Sequence, residues 1–313
     1  MNLAFLQLPM VLFTTLAPMA SGAFIGLAIA FLTTRFSSER LGRIDRWTLL
    51  PLGIFAAGFV AALWPSLVSQ GMSGALRDFG VGGLAMEPAV SLAGLAFASL
   101  AVVYWIIALT GNLDYRARSV FATAVGAGAL VLSFAIGMPF AGSAALSWGS
   151  LLAAIGLMGL CAAGGVPLGV LVVALGGGLA EARGTRFASA SMIAAFVGVV
   201  AAIFGIASQM LYAQSAAAVL ASGAEAVSGS WVYLAISIVG FVVMLACLRT
   251  TFSPDRTASL GRTAGAAAAV PVRDRRGVRP VGARSAVPLL VGGNVAVLAA
   301  IFAARLVFYA LLA

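Results

Sequence analysis

The chain has 313 residues, 62% of them hydrophobic and only 9% charged, with a formal net charge of +9. A soluble globular domain carries about 25% charged residues, so this composition excludes a water-soluble domain and suits lipid as the solvent. The absence of His excludes a haem b held by axial imidazoles, and two cysteines are too few for an iron–sulfur cluster or a Cys/His zinc site.

A membrane span needs about 20 mostly apolar residues. In chain order such runs occupy 10–34, 47–70, 88–111, 119–141, 148–180, 188–212, 231–248 and 286–312. They predict an all-α integral membrane protein, a bundle of eight transmembrane helices in a single domain over 1–313. The first run has no basic segment before it, outlasts a signal-peptide core and ends at Arg35, so it is expected to be a retained helix. The fifth run is long and contains Gly164, Gly165 and Pro167. A kink is the favoured expectation there over a binding site built on a broken helix. Cys161 and Cys247 lie inside apolar runs and are expected to be packing residues.

Every basic residue is Arg. Arg35, Arg40, Arg43 and Arg46 follow the first run, Arg116 and Arg118 the third, and Arg183 and Arg186 the fifth. Eight more, from Arg249 to Arg284, follow the seventh. The alternate loops hold only Arg77. Cytoplasmic loops are enriched in Lys and Arg, so these four loops are expected inside and both termini on the outer face. The segment 249–285 is rich in Arg, Ala, Gly and Pro without an apolar period, and reads as a disordered basic cytoplasmic loop. Anionic lipid heads suit it as partners; nucleic acid does not, because the charge is first a topology signal.

Two ionisable residues meet the apolar runs. Glu87 stands before Pro88 at the start of the third run, where a carboxylate complements a helix N-terminus or serves as a proton acceptor. Arg305 lies inside the eighth run, where it either snorkels outward beside Tyr309 or is buried on a polar partner. The expected depths are similar, so a Glu87–Arg305 pair is predicted. The outer end of the second run adds Trp64 and Arg77, and with Glu87 these would surround one external pocket suited to an amphipathic ligand arriving from lipid. No phosphate-binding loop, catalytic triad or paired carboxylates appear, and the chain alone does not read as an enzyme.

Three segments carry a family resemblance. Pro9 to Ile25 resembles an opening helix, Gly58-Phe59 to Glu87 resembles a second-to-third-helix region, and Arg305 with Val307-Phe308-Tyr309 resembles a terminal Arg-x-Val-Phe-Tyr. The family is the DmsC-type membrane anchor subunit of dimethyl sulfoxide reductase. The resemblance implies a haem-free anchor in the bacterial cytoplasmic membrane, with both termini outside. It implies two partners on the outer face, a molybdopterin catalytic subunit and a four-cluster, ferredoxin-like iron–sulfur subunit. It also implies electron exchange with menaquinol or menaquinone near that face. For that chemistry the residues read here supply the expected site, with Glu87 as the catalytic carboxylate and Arg305, Arg77, Trp64 and Tyr309 around the quinone. The sequence departs from the family at Pro65 and Gly71, where relatives carry a His and an Arg, and at Ile301, where they carry an acid. A structural anchor without quinol chemistry and a small-molecule permease are the rival readings.

Overall fold

The structure, a computed structural model, describes residues 8–81, 88–111, 113–138, 149–219, 224–253 and 286–312. Ten α-helices occur among them: α1 (Leu8–Thr33), α2 (Ser38–Trp47), α3 (Leu49–Val81), α4 (Pro88–Leu109), α5 (Tyr115–Gly137), α6 (Gly149–Leu175), α7 (Leu179–Ala182), α8 (Phe187–Val219), α9 (Ala224–Phe252) and α10 (Ala286–Leu312). There is no strand among the described residues. Among the described residues, eight helices are long and apolar enough to cross a membrane. The expected eight-helix membrane bundle is therefore the architecture. The segment 254–285 and Glu87 lie outside the described residues.

The bundle is built around α1 and α6. Their apolar windows are 78% and 83% buried, whereas the other six lie between 28% and 44%. Lipid tails are as apolar as leucine, so close van der Waals contact between small residues holds membrane helices together. Here Gly22 and Gly26 of α1 face Gly165 and Gly169 of α6, each pair at the four-residue spacing of one helix face. A β-carbon on Gly22 would lie 2.0 Å from the Cys161 carbonyl oxygen, and one on Gly165 would lie 2.1 Å from the Gly22 carbonyl carbon. The opposite side of α6 meets α8 the same way: a β-carbon on Gly159 would lie 2.4 Å from the Ala202 nitrogen, and one on Gly198 2.5 Å from the Ala163 nitrogen. Polar side chains add directional ties within the apolar interior. Ser237 donates to the Ala300 carbonyl at 2.9 Å, and the Asn294 amide donates to the carbonyls of Pro167 at 3.3 Å and Leu290 at 2.8 Å.

The fifth run forms one continuous helix through Gly164, Gly165 and Pro167, so no broken-helix site opens there. It stops at Leu175 rather than at 180 because a Schellman turn ends it. Gly177 N–H donates to the Ala174 carbonyl and Gly178 N–H to the Val173 carbonyl, and Gly177 takes φ 78°, which a β-carbon disfavours. The second run likewise breaks at Gly71, where φ is 73°.

The Arg-bearing turns after α1, α4 and α6 meet at one end of the bundle. Tyr115 donates to the carbonyls of Phe31 and Thr34, the Thr34 and Thr185 hydroxyls share a hydrogen bond, Arg40 pairs with Glu181, and Phe187 meets Phe252 edge-on. At the other end, Thr14 near the start of α1 touches Arg305 near the end of α10. The first and last spans therefore end side by side, away from the Arg-bearing turns.

Candidate functional site

Arg305 supplies the most expensive feature of the terminal end. A guanidinium within a membrane helix costs several kcal/mol unless it is hydrogen-bonded or reaches the interface. Arg305 is 3% exposed, so within this chain it is buried and does not snorkel. Its Nε–H donates to the Thr14 hydroxyl at 3.0 Å, and that hydroxyl donates to the Met10 carbonyl at 2.8 Å. Thr14 also stands four residues before Pro18, whose missing N–H leaves the Thr14 carbonyl without its usual helical partner. The same turn of α1 thus offers two oxygen acceptors.

The surroundings of Arg305 come from three further helices. A narrow crevice, scarcely larger than a water molecule, is lined by Gly156, Leu157 and Leu160 of α6, by Gly205 and Gln209 of α8, and by Arg305 itself. Gly156 and Gly205 let α6 and α8 nearly touch beside it: a β-carbon on Gly205 would lie 2.5 Å from Gly156 Cα. Val11, Ala153, Phe302 and Leu306 close one flank with apolar contact, and Ile206, Met210, Leu234 and Val307 the other. Chemically the crevice presents a guanidinium and a carboxamide in an apolar frame. Such a set holds carbonyl oxygens or a carboxylate.

The other residues singled out in the sequence are placed only in part. Trp64 lies on α3 before the break at Gly71 and is 59% exposed on the bundle surface. Arg77 lies on α3 beyond that break, and Tyr309 lies in the last turns of α10; their side chains are outside the described set. Glu87 and its predicted pairing with Arg305 are outside it as well. Gly71 has a local reason to be glycine. Nothing lies within 4 Å of a β-carbon there, so space is free, but φ 73° favours a residue without a side chain.

A second buried charge was hidden from the sequence reading. Asp45 of α2 and Arg118 of α5 form an ion pair with side chains 1% and 4% exposed. The indole N–H of Trp105 on α4 donates to the Asp45 carbonyl at 3.1 Å, so one residue ties α2 to two spans. Helical phase was the available signal. Ile44, Asp45 and Thr48 are all buried and share one face, which puts a carboxylate on an apolar stripe. Arg118 likewise leads the buried stripe of α5 through Ala122, Val125 and Ala129. Counting arginines for topology treated Arg118 as an ordinary loop charge.

Comparison of the chain with family models, with curated proteins and with solved structures finds no match.

Proposed function

We propose that the chain is the haem-free membrane anchor and quinol-linked electron-transfer subunit of a molybdopterin and iron–sulfur oxidoreductase complex. The observation that carries this reading is the buried Arg305 at the terminal end, hydrogen-bonded to Thr14 and bordering a crevice with Gln209. Guanidinium and carboxamide donors suit the carbonyl oxygens of a quinone head, and the described crevice must widen to admit its rings. Menaquinol brings two electrons and two protons when bound. In this account Arg305 hydrogen-bonds one ring oxygen, and Glu87, which precedes α4, accepts a proton. Arg77 adds positive charge near the same surface, and Trp64 and Tyr309 border the way in from lipid. The terminal end faces outward, where the molybdopterin subunit and the ferredoxin-like subunit dock. The bacterial cytoplasmic membrane and a basic cytoplasmic segment over 249–285 complete the picture.

A structural anchor without quinol chemistry is the second reading, favoured by Pro65 and Gly71 at the positions where the family it resembles carries His and Arg. Quinol-dependent reduction in native membranes separates the two. A proton acceptor is worth about a hundredfold or more in rate, so Glu87→Gln should lower turnover with a menaquinol analogue by about that factor while the complex still assembles. Undiminished turnover in that variant would remove Glu87 from the reaction. A wild-type complex that cannot use quinol at all would leave only the structural role.

A further inference from the structure

The Arg-bearing end of the bundle carries a surface that the proposed quinol site does not use. Its organising element is α2, ten residues long and too short to span. Ile44 and Asp45 face inward, while Arg43, Arg46 and Trp47 are exposed. The inner face is firmly seated. Asp45 pairs with Arg118, Trp105 holds the Asp45 carbonyl, and Ile44 fills the space over the α6 turn, where a β-carbon on Gly176 would lie 2.4 Å from Ile44 Cγ1. An exposed basic face ending in Trp47, on a helix whose other face is seated on the bundle, suits a position at the membrane interface.

The neighbouring turns extend the charge. Arg35, Arg116, Arg186 and Arg249 are exposed at the same end, and with Arg46 they form no ion pair with the described residues. Among the described residues, Arg43 pairs only with the exposed Glu39. Apolar side chains stand directly beside these cations: Leu32 is 63% exposed, Trp47 44% and Leu49 54%. A soluble anion has no use for that apolar border, whereas a phospholipid presents a phosphate and an acyl chain together.

We propose that this surface binds the headgroups of anionic phospholipids, with α2 lying among the phosphates and Arg35, Arg43 and Arg46 as its main contacts. The site is independent of the quinol reading and stands or falls without it. The test is native mass spectrometry of the full chain released from nanodiscs containing equal amounts of phosphatidylglycerol and phosphatidylcholine. Each Arg near an anionic surface is worth about fivefold in binding. Wild-type protein should therefore retain phosphatidylglycerol over phosphatidylcholine by about a hundredfold, and the triple variant R35Q/R43Q/R46Q should retain the two about equally. If the triple variant yields too little protein, each single variant should lower the preference by about fivefold. The proposal is overturned if wild-type protein shows no preference, if the variants keep it, or if it vanishes only when Arg273, Arg275, Arg276 and Arg279 are neutralised instead.

Discussion

Arg118 and Arg305 are buried to nearly the same degree, yet they answer to different partners. Arg118 meets the carboxylate of Asp45, whereas the Nε–H of Arg305 meets the hydroxyl of Thr14. Removing one member of a buried pair strands the other charge and costs about 3–5 kcal/mol, while replacing both by apolar groups is often neutral. Asp45→Asn should therefore lower the thermal midpoint of the purified chain markedly, and Asp45→Leu with Arg118→Met should recover most of the loss. An unchanged midpoint in the single variant would show that the pair does not hold α2. A charge-assisted hydrogen bond is worth about 1.5–3 kcal/mol, so Arg305→Met should cut quinol-dependent turnover by at least about tenfold. Measuring turnover per assembled complex separates that effect from lost assembly. Arg305 was legible in the sequence because a charge interrupts an apolar run. Asp45 was not, because it lies in a polar stretch where only helical phase distinguishes an inward carboxylate from a solvated one.

At the scale of the helices, close packing sets the tolerance for change. A side chain added at Gly165 has no room, since its β-carbon would meet the backbone of Gly22 at 2.1 Å. Gly165→Leu should abolish recovery of folded protein from detergent-solubilised membranes. Gly53 has nothing within 4 Å, and Gly53→Ala should leave recovery unchanged or raise the thermal midpoint slightly, because Ala is the better helix former by about 1 kcal/mol. Equal recovery of the two variants would refute the Gly-mediated contact between α1 and α6. All eight spans were legible from apolar run length, which the bilayer imposes directly. Their ends were less so. Helices such as α8 and α9 extend past their apolar runs, because hydropathy marks lipid contact rather than backbone hydrogen bonding. The short helix α2 was missed since its polar residues mask the buried Ile44.

At the scale of the molecule, charge and connectivity act together. Eight spans bring the ends of α1 and α10 side by side, opposite the Arg-bearing turns after α1, α4 and α6. The sequence reading of that asymmetry puts both termini outside, and cysteine-labelling from either side of sealed vesicles tests it. Residues introduced near 5 and 313 should react with an impermeant reagent from the periplasmic side only, and one near 184 only from the cytoplasmic side. The reverse pattern would carry the Arg305 site to the wrong face for docking outer subunits. What the sequence left open at this scale is the shape of the external pocket, because its expected residues come from distant segments and only Trp64 and Arg305 are placed with their side chains.

The anchor reading rests most directly on what the chain binds. Purification of the complex from its native membrane in mild detergent, followed by mass spectrometry of the co-purifying proteins, puts the question without relying on any one residue. A molybdopterin subunit and a ferredoxin-like iron–sulfur subunit should accompany the chain in stoichiometric amounts. A chain that purifies alone or as a homodimer, from membranes that contain such subunits, would contradict it.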